Sequence, residues 1–178
     1  SYASGIETGR SVVHVVTADD SGTTRRIVEE IRRRVPIAQV GTEQEKRRLA
    51  TKPQVYVTIG PAALRAHLAS NADGVILSAF SSSQAYREIV SQAASERRIP
   101  ASTAVYAEPS PVTQLRLISL LYKKPVPTAV ILSEKTAYSA PLLQRAATQT
   151  GIPLTVESLD TISNLNRVLN RLSDVSAI

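Results

Sequence analysis

Residues 101–134 read ASTAVYAEPSPVTQLRLISLLYKKPVPTAVILSE, and the fold follows from how this stretch is parsed. Ala104-Val105-Tyr106 reads as the end of a buried strand. Glu108-Pro109-Ser110-Pro111 blocks its continuation, because each proline lacks the N–H that a ladder or helix interior requires. A helix is predicted next, with Pro111 tolerated in its first turn and Leu115, Ile118, Leu121 and Tyr122 recurring at helical spacing. Lys123 and Lys124 suit its C-terminal end, where the macrodipole is negative. Pro125 and Pro127 close the helix, and 128–132 forms a second apolar strand. The proline-punctuated crossing marks a change of domain.

Upstream, the same strand–helix rhythm recurs. The polar, glycine-bearing 1–10 is expected to be a flexible leader. SVVHVVT, 11–17, is a β-branched run expected as a central buried strand, with His14 as a buried structural imidazole. A turn follows, then a helix over 23–34 with Ile27, Val28, Ile31 and Val35 as its apolar stripe and Asp20 or Ser21 as its N-cap. A short strand over 37–40 leads to a charged helix over 42–50 opened by a capping box, Thr42-Glu43-Gln44-Glu45. QVYVTI, 54–59, is the third strand, and Gly60-Pro61 opens an alanine-rich helix on which His67 is structural or surface-facing. A strand over 75–79, the loop 80–83, a helix over 84–97 and the strand 102–106 complete a β-α-β-α-β-α-β-α-β series. Downstream, 139–150 and 162–172 are helical, Gly151 stops the first of these, 154–157 is a strand, and 175–178 opens another.

Alternating strands and helices demand right-handed crossovers and a parallel sheet. The expected fold is therefore α/β: a doubly wound parallel five-stranded sheet domain over 11–107, followed by a second α/β lobe over 108–178 that is incomplete at its C-terminus. Such a lobe would leave sheet surface exposed, which predicts either a piece of a longer chain of roughly 300 residues or a homodimer through that lobe.

Composition narrows the function classes. There is no cysteine, hence no disulfide framework or thiolate site, and no apolar run approaches the roughly 20 residues that span a bilayer. The net charge of +6 gathers in Arg25-Arg26, Arg32-Arg33-Arg34, Lys46-Arg47-Arg48 and Arg97-Arg98. These suit solvated helix faces and C-termini, and no nucleic-acid motif accompanies them, so no nucleic-acid partner is expected. With only two histidines and no ligand spacing, no metal or cofactor is expected either.

In a doubly wound sheet, ligands bind outside the carboxyl ends of the strands. The candidate ligand-binding residues there are Thr17, Asp19, Asp20, Ser21, Gly60, Pro61, Ala62, Phe80, Ser81, Ser82, Tyr106, Glu108, Ser133, Glu134 and Tyr138. Phe80, the sole phenylalanine, is either an aromatic wall for a ligand or a rim residue folded over the domain edge. Gly60-Pro61-Ala62 opens a helix whose free N–H groups would suit a carboxylate or phosphate, although an ordinary strand-to-helix turn satisfies the same pattern. Asp19-Asp20 raises an alternative, a flavodoxin-like enzyme or phosphate-binding domain using these carboxylates and the Gly60 turn. No further aspartate stands at the end of the third strand, where Thr58-Ile59-Gly60 lies, and no nucleotide-binding or nucleophile motif is present, so catalysis is not expected.

AVYAEPSPVTQLRLISLL and AVILSEKTAYSAPLLQRAATQTGIPL resemble the ABC-transporter substrate-binding protein family. VVTADDSGTTRRIVEEIRRRV and VYVTIGPAALRAHL are similar to its first and third βα units. The resemblance implies a type I periplasmic-binding-protein fold. It further implies a non-catalytic receptor that binds a small polar or amphiphilic solute, an amino-acid-like carboxylate being favoured, in the cleft between two lobes. The implied partner is an ABC permease in the inner membrane, and the implied location periplasmic or lipid-anchored. The chain departs from the family pattern at Glu108-Pro109-Ser110, where an acidic-Gln-Pro sequence is common, and at Thr113, where arginine is common. A ligand-free regulatory module on the same fold is the reading those departures suggest.

Overall fold

A computed structural model describes residues 13–35, 39–42, 55–70 and 73–178. The leader expected over 1–10 and, beyond Thr42, the charged helix expected over 42–50 lie outside the described residues. The chain divides into two compact units that part between Glu108 and Pro109.

In the first unit, β1 (Val13–Val16), β2 (Gln39–Gly41), β3 (Val55–Ile59), β4 (Val75–Ser81) and β5 (Ser102–Tyr106) form one parallel sheet in the order β2-β1-β3-β4-β5. The β-branched runs dictate this, since side chains buried on both faces favour continuous apolar strands over alternating ones. Three helices described in this unit are α1 (Gly22–Arg34), α2 (Gly60–Ala69) and α3 (Ser83–Glu96). On one face Ile27 and Ile31 of α1 pack on Val15 and Ile59. On the other, Ala63 of α2 packs on Val16 and Tyr56, while Leu64, Leu68 and Ile89 enclose Ile76. Helices thus cover both faces, and the expected five-stranded parallel α/β architecture is the one adopted.

Register fixes which side chains share a face. His14 lies opposite Tyr56, Val16 opposite Thr58, Thr58 opposite Ser78 and Ile59 opposite Ala79. His14 and His67 are both buried, with the Tyr56 ring 4.3 Å from His67 and 6.3 Å from His14, as expected of structural imidazoles.

β5 is not the buried strand that Ala104-Val105-Tyr106 suggested. Val105 is 63% and Tyr106 44% exposed. Helix α1 packs over β1, β3 and Ala79 of β4, one strand short of Val105 in the ladder. An apolar strand at a sheet edge looks the same in sequence as one at its centre.

The second unit holds α4 (Pro111–Tyr122), β6 (Thr128–Leu132), α5 (Ala140–Thr150), β7 (Leu154–Ser158) and α6 (Leu165–Arg171). β6 and β7 pair in parallel as a small separate sheet. The strand expected over 175–178 reduces to one bridge, Thr128 to Ala177, held by Ser176 N–H donating to Pro127 O at 2.8 Å and Ala129 N–H donating to Ala177 O at 2.9 Å. Gly151 closes α5 at φ 70°, a conformation that costs glycine little.

The inward stripe of α4 also differs from the expected one. Leu115 is buried and packs with Val112 and Ile118 on Ala146, Ala147 and Ile152, while Leu121 is 71% exposed and the Tyr122 hydroxyl donates to Ser176 O at 2.6 Å. VTQLRLISLLY carries leucine or isoleucine on nearly every side, so spacing alone leaves the packed face open. Leu115→Ala is expected to destabilise the chain by about 2–5 kcal/mol, and Leu121→Ala by less than about 0.5 kcal/mol. Urea unfolding of the two variants checks this, and the reverse order would place the buried stripe on the other side of α4.

Candidate functional site at the carboxyl edge of the five-stranded sheet

The chain order reverses direction between β1 and β3, so their carboxyl ends flank the point at which parallel α/β sheets open a crevice. Thr17 to Ser21 follow β1, Gly60 to Ala62 follow β3, Phe80 to Ser82 end β4, and Tyr106 to Glu108 end β5. The first unit therefore brings twelve of the sequence-selected residues to one edge of one sheet. Ser133, Glu134 and Tyr138 belong to the second unit, at the carboxyl end of β6, where Ser133 N–H donates to Thr136 Oγ1 at 2.9 Å and closes a turn.

Three carboxylates on the first unit's edge are already committed. Asp19 Oδ1 accepts from Thr24 Oγ1 at 2.6 Å and from Ser21 N–H at 3.0 Å, and these bonds, the Thr24 hydroxyl first, hold its carboxyl below the usual range. Asp20 accepts from Arg25 Nη2 at 2.6 Å and Nε at 2.9 Å, and that guanidinium lowers its pKa in turn. Glu108 takes Ser83 N–H on both carboxylate oxygens, at 2.9 and 3.1 Å, laying a negative charge on the positive end of α3. The serines serve as caps: Ser21 Oγ accepts from Thr24 N–H, and Ser82 Oγ from Ala85 N–H.

The start of α2 is different. Its N-cap is Ile59, which offers no side-chain acceptor, and Pro61 follows without an N–H of its own. Ala63 N–H closes the first helical turn, and the amide of Ala62 before it meets no side-chain cap at the helix's positive end. Gly60 adopts φ 84°, and a Cβ placed on it would meet nothing within 4 Å, so the space beside this turn is open.

Beneath this edge lies a group of hydroxyls of which sequence reading selected only Ser81. Thr58 and Ser78, paired across β3 and β4, are fully buried, and Ser81 is nearly so. The side-chain oxygens of all three have no hydrogen-bond partner among the described residues. Each such group costs on the order of 1–3 kcal/mol if left unpaired. The register shift between Ala79 and Ser81 brings Ser81 opposite Tyr106, on the same sheet face as Ser78 opposite Ala104. All three therefore stand on the face covered by α2 and α3. The sequence signal was there: one threonine in VYVTI and two serines in VILSAFS, strands that are otherwise apolar.

Thr17, buried just beyond β1, donates its N–H to Gly41 O at 3.0 Å and extends the ladder toward β2. Tyr106 is half exposed, its ring 6.0 Å from that of Tyr86, whose hydroxyl lies 2.8 Å from Ser102 Oγ. No group of three histidines, aspartates or glutamates spaced to hold a metal ion occurs among the described residues.

No family model matches the chain, and no curated protein matches it significantly. Among solved structures it is similar to the ligand-free, open structure of CD0873, a substrate binding protein with adhesive properties from Clostridium difficile. The identity is 12%, the TM-score 0.49, and the match covers 91% of this chain and 62% of that one. The chain thus spans less than two thirds of the neighbour's length.

The carboxylate commitments have a measurable pH consequence. The Arg25 guanidinium holds the folded-state pKa of Asp20 below the ordinary carboxylate value, so the stabilisation it supplies is present above that ordinary value and is lost as pH falls through the folded pKa. Asp20→Asn should lower Tm slightly at neutral pH and low salt, and the difference from wild type should vanish in acid and shrink at high salt. Melting curves from pH 7 to pH 2 test this; a pH-independent difference would show that the Arg25 contact contributes nothing through charge.

Proposed function

We propose that the protein is a non-catalytic solute receptor that holds a small amphiphilic carboxylate at the carboxyl edge of its five-stranded sheet. The observation carrying this reading is the uncapped start of α2 at the β1/β3 switch point, beside edges whose own carboxylates are all engaged. A helix N-terminus with free amides favours an anion, and an open glycine lets that anion approach the backbone. The serine, threonine and tyrosine groups around it suit an amine or hydroxyl elsewhere on the solute, which favours an amino-acid-like carboxylate.

The sequence likeness of 104–121 and 129–154 to ABC-transporter substrate-binding proteins supports the next step of the reading. In it the receptor works outside the cytoplasm and passes its solute to an ABC permease in the membrane. The carboxylate of Asp19 accepts from Ser21 N–H and the Thr24 hydroxyl and that of Asp20 pairs with Arg25, so both are engaged at the start of α1 in this reading.

A thermal-shift screen of amino acids and simple carboxylates on this chain is the test. A binder is expected to raise Tm progressively with concentration, by the linkage that a ligand bound only to the folded state imposes. Gly60→Asp should remove the shift by placing a charge where the carboxylate sits. Conversion of the stabilising compound into a product would contradict a receptor, and a screen without any hit would favour a ligand-free module.

A further inference from the structure

Successive residues of a strand point to opposite faces of its sheet, and on β4 and β5 the two faces differ. Toward α2 and α3, Ile76 and Ser78 are buried and Ser102 and Ala104 half-buried. On the opposite face Val75, Thr103 and Val105 are exposed, and Leu77 and Ala79 only half-buried. Helix α1 covers that face over β1 and β3 and reaches no further than Ala79. With strands in the order β2-β1-β3-β4-β5, the rest of the face falls to a helix that follows β5. Here that helix is α4, and it belongs to the second unit, where Val112, Leu115 and Ile118 pack with Ala146, Ala147 and Ile152. A parallel sheet is ordinarily covered on both faces, and no described helix of the first unit packs on Val75 or Val105.

Helix α4 carries the matching surface. Leu117, Leu120 and Leu121 are 55%, 74% and 71% exposed. By helical geometry this stripe points away from the one formed by Val112, Leu115 and Ile118. A helix that is apolar on opposite sides is one that is buried on both. The chain thus has a sheet face without a helix and a helix stripe without a sheet. Each spans a few hundred Å², the size at which an exposed apolar patch marks an interaction surface.

Charge decides which surfaces meet. Residues 109–133 include no aspartate or glutamate, and Arg116, Lys123 and Lys124 flank the leucine stripe. Two such stripes laid together would bring these cations near one another without a counter-charge. Strands β4 and β5 carry no charged residue, and Asp73 precedes the first as Glu108 follows the second. A helix flanked by cations therefore suits this sheet face better than it suits a second α4.

We propose that both surfaces are filled by a second copy of this chain, α4 of each protomer lying across β4 and β5 of the other in a reciprocal two-fold dimer. The two contacts together remove on the order of 1,000 Å², where specific protein interfaces begin. They lie on the sheet face away from α2, so the dimer does not rest on the solute reading.

Light scattering of the full chain at micromolar concentration is expected to give twice the chain mass. Leu120→Glu and Val105→Glu, both at exposed positions, should each keep the circular dichroism of wild type and weaken the dimer at least about tenfold. Because the chain has no cysteine, introduced thiols report which surfaces meet. A short bis-maleimide should cross-link a mixture of Val105→Cys and Leu120→Cys chains, and neither variant alone. Cross-linking of Leu120→Cys alone would overturn the proposal in favour of paired α4 helices, and of Val105→Cys alone in favour of paired β5 edges. Monomer mass for wild type, a dimer that survives either substitution to glutamate, or a mixture that fails to cross-link would each overturn it as well.

Discussion

Gly60 passes the chain from strand to helix with no residue between β3 and α2. Only a residue at ease with φ near 84° makes so abrupt a change without strain, and glycine is that residue. Because the turn is this short, the first turn of α2 lies directly over the end of its own strand, where Ala63 packs on Tyr56 and Val16. Pro61 then fixes the next φ and removes an amide that would have lacked a partner. The core of that face, the burial of Thr58 and the bare start of α2 all follow from one backbone angle.

Electrostatics at the carboxyl edge follow from which helix starts the chain itself has filled. The helix after β1 is capped by Ser21 and supported by Asp19, and the helix after β4 by Ser82 and the distant Glu108. Each supplies an acceptor to amides that helix geometry leaves unpaired. At α2 the N-cap Ile59 has no side-chain acceptor, and the neighbouring strand contributes an aromatic at positive φ and the Ser81 hydroxyl. Local propensity and global fold agree almost everywhere else in this unit. Places where they disagree are where function is expected, because rigid surroundings are needed to hold them.

Much of this architecture was readable from residue order, since parallel strands and their helices announce themselves through β-branched runs and caps. Ser21, Ser82 and Ser110 stand at helix starts because short polar side chains beside apolar repeats have few other uses. The carboxyl-edge set was equally readable once the strands were placed, because the doubly wound rule is geometric. What escaped were properties that depend on neighbours distant in sequence. Val105 looks like core until the ladder shows nothing beyond it among the described strands, and α4 is apolar on too many sides for periodicity to choose one. The bond from Ser83 N–H to Glu108 joins residues 25 apart, and no local pattern encodes it. Nor does any sequence signal announce an aromatic in the left-handed region, because the strand around it, not Phe80 itself, sets that angle.

The account turns on one claim, that the amides at the start of α2 and the bulge of β4 form a single solute site. Amide chemical shifts followed by NMR during titration with a solute that stabilises the chain test it most directly. The account predicts that Gly60, Ala62, Phe80 and Ser81 shift together along one saturation curve. Saturable shifts confined to other residues, with those four amides unmoved, would contradict it.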